Sequence, residues 1–199
     1  RMYQKYTDGL PVYRQIAVNG KVPFEEFEAY EFKFTDWANV TIESPEGEPY
    51  LIYLEKGENT FEMSVKLGKF TDIMNNLEQD AEVLSEKISE IISITSINPD
   101  PNFRYNLQVK IPDLLPTFQA IVDSFGRQIE RIEAISEKRP GAVNNFQMMI
   151  TQLEAMINEP ESIASGLSEL TNAQGSLSTW IRDFANSPLE IDYAKRSGS

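Results

Sequence analysis

The sequence predicts an α+β fold: an N-terminal β-sandwich or jelly-roll portion, an antiparallel four-helix bundle, and a short C-terminal strand. Two observations carry this. Apolar residues alternate with period two up to Phe70, then recur every three or four residues from Thr71 to beyond Ile181. Prolines cut the helical stretch into segments joined by short connections, as in a bundle. The expected divisions are 1–70 for the partial sandwich, 71–187 for the bundle, 188–196 for a returning strand, and 197–199 as a remnant of cloning.

In order, Arg1–Tyr6 alternates like a strand already under way, which suggests a piece of a longer protein. A Thr7-Asp8-Gly9 turn leads to a second strand, Val12–Val18, ending at Asn19-Gly20. Val22–Glu28 reads as extended or loop, because Pro23 biases Val22 away from the helical region. Tyr30, Phe32 and Phe34 form one face of a strand, Thr35–Asn39 reads as a loop, and Val40 and Ile42 precede the Ser44–Pro49 turn. Tyr50–Leu54 and Phe61–Leu67 alternate around Glu55-Lys56-Gly57-Glu58-Asn59, the composition of a hairpin turn. About six short strands in this half suggest a sandwich or jelly roll, complete or lacking strands from upstream.

The first helical stripe holds Ile73, Leu77, Ala81, Leu84, Ile88 and Ile91, with Thr71 or Asp72 as cap, and stops before Asn98-Pro99-Asp100-Pro101. The second starts near Pro112 or Pro116, carries Phe118, Ile121, Val122, Phe125, Ile129 and Ile132, and ends at Lys138-Arg139-Pro140-Gly141. A third carries Val143, Phe146, Met149, Ile150, Leu153 and Met156. Pro160 opens the fourth, with Ile163, Leu167, Leu170, Leu177, Trp180, Ile181 and Phe184. Gly126, Gly166 and Gly175 fall inside helical patterns, at roughly 1 kcal/mol each relative to alanine, which points to close helix contacts or irregularity. Leu189–Tyr193 returns to period two and either rejoins the sheet or starts another domain.

Composition narrows function. With 199 residues, 41% of them hydrophobic, the chain can bury a core. A net charge of −13 argues against nucleic acid and anionic membrane surfaces as partners, because phosphate-backbone affinity comes from Lys and Arg releasing counterions. The chain lacks histidine and cysteine, and so lacks the commonest metal ligands, the commonest general base and any thiol nucleophile. No catalytic residue, metal or cofactor is expected, and no apolar run approaches the roughly 18 residues of a spanning helix.

Asn98, Asp100 and Asn102 mimic the start of a calcium loop, but Phe103 stands where glycine is needed and Val109 where a bidentate glutamate is needed; Asx turns account for them better. Glu25, Glu26, Glu28 and Asp36 offer carboxylates for glycoside hydrolysis, yet clustered acids in an acidic chain are ordinarily just solvated. Sugar sites typically present an aromatic face with polar groups around it. The candidates are Trp37 with Asp36, in the expected loop, and Tyr30 and Tyr13 in strands. The competing account of each aromatic is that it fills the sandwich.

Gly9–Glu26, the Tyr50–Asn59 block with its Tyr-Leu-Glu-Lys-Gly-Glu-Asn run, the Asn98-Pro99-Asp100-Pro101 turn and Pro188–Tyr193 together resemble an accessory region of large extracellular solute-binding lipoproteins, components of ABC sugar importers in Gram-positive bacteria. The resemblance runs in order over nearly the whole chain, and the β half is similar to galactose-binding-like jelly rolls. It implies a non-catalytic module outside the cell, tethered through the lipid anchor of a parent protein, with that parent's remaining domains and a carbohydrate as partners. The alternative is a structural or protein-interaction bundle braced by the sandwich.

Overall fold

In the computed structural model, which describes residues 1–100, 102–136 and 139–195, the chain forms two compact units. One comprises Arg1–Lys69 with the chain from Phe184 onward, the other Phe70–Asp183. Pro101 and Lys138 of the expected turns, and Arg196–Ser199 with the expected cloning remnant, lie outside the described residues.

Among the described residues the first unit has six strands: β1 (Met2–Gln4), β2 (Val12–Val18), β3 (Tyr30–Phe32), β4 (Thr35–Ala38), β5 (Phe61–Lys66) and β6 (Glu190–Ile191). They make two three-stranded sheets, ordered β4-β1-β6 and β3-β2-β5, with every pairing antiparallel. Met2 from the first sheet and Val12, Ile16 and Phe32 from the second meet Phe27 in one buried cluster. The architecture is a small sandwich, with fewer strands than the eight of a full jelly roll.

The C-terminal segment rejoins the sheet, β6 pairing with β1 through Tyr3↔Glu190 and Met2↔Ile191. Three local expectations differ from the structure. Thr35–Asn39, read as a loop, supplies strand β4. Glu25–Glu28, read as extended or loop, is a 3-10 turn that buries Phe27. Tyr50–Leu54 is no strand, and β5 pairs with β2 instead, from Val18↔Phe61 to Tyr13↔Lys66. Tyr50 and Ile52 still pack on the core while Leu51 and Tyr53 stay exposed. The period-two pattern thus reports alternate burial, which an extended segment achieves without a ladder. The turn itself forms: the Asn59 side chain accepts from the Glu55 N–H and donates to the Glu55 carbonyl, both at 3.0 Å, and Gly57 takes φ +114°.

The second unit holds helices α1 (Thr71–Thr95), α2 (Leu107–Lys110), α3 (Leu114–Ile135) and α4 (Gly141–Asn158), and most of α5 (Leu167–Ala185). The four long helices are the expected stripes. The short α2 arises in the passage read as irregular. Phe70, in a preceding 3-10 turn, occupies the N-cap position of α1, so Thr71 lies inside the helix rather than capping it. Pro116 sits in the first turn of α3, where no N–H is missed. A 3-10 turn at Pro160–Ser162 precedes α5.

Helix α3 packs on both α1 and α4. Helix α5 reaches α4 through the Phe146–Trp180 edge contact at 5.0 Å and α1 through Gln174, whose amide donates to the Ala81 carbonyl. Lys87, nearly buried, donates to Asp113 at 2.8 Å and to Glu90 at 3.1 Å, tying α1 to the start of α3. Of the three glycines, Gly166 makes a close contact, since a Cβ there would meet the Met156 methyl at 2.5 Å, whereas Gly126 and Gly175 face open space.

Candidate functional site

Strand β1 alternates: Met2 and Gln4 point into the core, leaving Arg1, Tyr3 and Lys5 for the outer face. Beside it, the register of β4 slips, from Met2↔Ala38 to Gln4↔Thr35. Two residues, Asp36 and Trp37, therefore stand opposite the single Tyr3. A bulge of this kind re-aims side chains, and both consecutive residues are exposed where a regular strand would bury one. The irregularity brings Asp36 and Trp37 onto the face that already carries Tyr3.

The result is a run of aromatic rings. Tyr3 lies 5.4 Å from Tyr6, edge to face, and 5.4 Å from Trp37, tilted by 36°. The Arg1 guanidinium lies 5.3 Å from the Trp37 ring centroid, within cation–π range. Trp37 nonetheless remains 40% exposed. Polar groups border the rings. Lys5 Nζ contacts Asp36 at 2.8 Å, and the other Asp36 oxygen accepts the Trp37 N–H at 2.8 Å. Arg1 reaches Asp192 at 3.4 Å, Tyr6 donates its hydroxyl proton to Glu190, and Tyr193 donates to Asn39 at 3.3 Å.

The charge pairs are electrostatically settled. The hydrogen bond from Lys5, followed by that from the Trp37 N–H, holds the Asp36 carboxyl below the usual aspartate range, and the bond to Asp36 raises the Lys5 ammonium. A carboxyl so depressed is unsuited to general-acid work, which needs a raised value. Glu25, Glu26 and Glu28 sit on the 3-10 turn of the core, where Glu28 accepts from the Gln15 amide. Among the described residues no cluster of acidic side chains is arranged to hold a metal ion.

Tyr13 and Tyr30 do not join this face. Tyr13, in β2 and 3% exposed, lies under Gly68 and donates to Glu31 at 2.7 Å; burial, then that carboxylate, pushes its phenol up. Burial pushes Glu31 up as well, but the hydrogen bonds from Tyr13 and Lys69 outweigh it and hold the carboxyl down. Tyr30, in β3, packs between Phe27 and Phe32 and exchanges hydrogen bonds with the backbone of Glu43. Arg1, Tyr3, Lys5, Tyr6, Asn39 and Tyr193 were not singled out by sequence reasoning. The signal for three of them was present, since the alternation of Arg1–Tyr6 leaves Arg1, Tyr3 and Lys5 outward once Met2 is taken as core. The expected Asx turn does form, with Asp100 accepting the Asn102 N–H at 2.9 Å.

Residues 69–187, more than half of the chain, match the model of the family described as bacterial solute-binding protein, 4-helix bundle domain. No curated protein and no solved structure matches the chain. A domain of this family is part of a parent protein that binds a solute. Among the described residues no helix is long and apolar enough to cross a membrane. With its bundle helices and the match agreeing on the same segment, the chain belongs to the bacterial solute-binding protein 4-helix bundle domain family.

Proposed function

We propose that the chain is a non-catalytic accessory module of an ABC importer's solute-binding protein, and that its bulged β4-β1-β6 face is an auxiliary carbohydrate-binding surface. The supporting observation is the exposed Tyr6–Tyr3–Trp37 run bordered by Lys5, Asp36, Asn39 and Asp192. Aromatic faces take the C–H faces of sugar rings, and fixed polar groups beside them take hydroxyls. In this reading the bundle positions the module, and the lipid anchor of the parent lipoprotein supplies its attachment to the membrane.

The alternative, a purely bracing or protein-interaction bundle, calls for an apolar patch on a helix face. Among the described residues, the large apolar side chains that the helical unit exposes are Met148 on α4, Val109 on α2, and Ile97 and Phe103 in the connection between α1 and α2.

The test is binding of the folded chain to an array of plant and bacterial polysaccharides, repeated with Trp37→Ala. Saturable binding weakened about tenfold or more by the substitution is the expected result. A well-folded chain that binds nothing on the array, or binds equally well without the indole, defeats the carbohydrate assignment.

A further inference from the structure

Strand β5 lies at the edge of its sheet. One side is hydrogen-bonded to β2, and among the described residues no strand pairs with the other. Phe61 and Val65 are 48% and 51% exposed, and apart from the partly buried Met63 the whole strand is exposed. A row of free backbone donors and acceptors flanked by apolar side chains is a template for another strand.

The sequence of the edge selects which strand. Two copies of β5 paired antiparallel about a twofold axis must set residues of the same face opposite one another, so the axis passes through a residue. With the axis at Ser64, Glu62 faces Lys66 of the second copy and Lys66 faces its Glu62, while Phe61 faces Leu67 and Met63 faces Val65. Each cross-strand pair is then apolar with apolar, hydroxyl with hydroxyl, or acid with base. Moving the axis by one residue either way sets Ser64 against Glu62 or Lys66 and loses both ion pairs. We propose that the β5 edge is a self-complementary interface through which two copies of this chain join their sheets, in register about Ser64.

The experiment is sedimentation equilibrium of the full chain at low salt, with Glu62→Lys, Lys66→Glu and the doubly reversed chain alongside, each checked for unchanged circular dichroism. The expected result is a concentration-dependent dimer that each single reversal weakens about tenfold or more, since each sets like charges opposite at two symmetric places, and that the double reversal restores. A chain monomeric at every accessible concentration overturns the proposal, as does a dimer indifferent to the reversals. So does a monomer whose β5 amides become protected from hydrogen exchange only when another domain of the parent is added, which would give the edge to that domain.

Discussion

In the bundle, Ile73, Leu77, Leu84, Ile88 and Ile91 are all buried by one 25-residue helix, so a single local period aligns them. In the sandwich, Met2, Ile16, Phe27 and Phe32 come from four separate segments, and they meet only because two separately paired sheets and a 3-10 turn pack on one another. A core drawn from one helix face repeats its contacts along the axis. A core drawn from four segments depends on a few junctions, each with its own geometry. The bundle should therefore respond to lost volume, and the sandwich to altered backbone.

The largest effect is expected from Phe118→Ala in α3. The ring is fully buried, and its removal should cost about 4 kcal/mol, read as a lowered thermal midpoint in the helical signal at 222 nm. A shift of only a degree or two would mean that the bundle collapses into the space, and that its packing is less specific than its burial implies.

Next is Gly68→Ala, a change of one methyl at a junction of the sandwich. Gly68 has φ +53°, and a Cβ there would stand 2.3 Å from the Tyr13 ring. A loss of about 2 kcal/mol is expected, with the near-ultraviolet tyrosine signal perturbed. If the substitution is silent, Tyr13 is not a fixed point of the sandwich and the contrast with the bundle weakens.

Smallest and opposite in sign are Gly126→Ala and Gly175→Ala. Both glycines lie inside long helices and face open space, so each substitution should stabilise the bundle by about 0.5 to 1 kcal/mol. Measured urea midpoints that fall instead of rising would reveal a contact these helices make outside the two units as described.

The helices were legible because their signal is short-range. Each stripe between its prolines became a helix, with errors confined to ends, such as the 3-10 turn at Gly68–Phe70 that puts Phe70, not Thr71, at the N-cap of α1. The strands were legible only as alternation. Tyr50–Leu54 and Phe61–Lys66 both alternate, yet one joins a ladder and the other does not, because hydrogen-bond partners are chosen by the tertiary arrangement and not by the strand. The same limit hid the candidate face: Trp37 and Asp36 stood out by composition, but their joint exposure beside Tyr3 depends on the bulge.

By itself, then, the sequence determined the α+β class, the order of its halves, the apolar stripe of each long helix and the lack of thiol and imidazole groups, all of which depend on residue type and local period. Only the tertiary structure decided that β1 lies between β4 and β6, that Tyr13 is buried while Trp37 is not, and that β5, among the described residues, pairs on one side alone. Those facts depend on pairings between segments as far apart as Tyr3 and Glu190, and no local pattern encodes which distant backbone will supply the other half of a hydrogen bond.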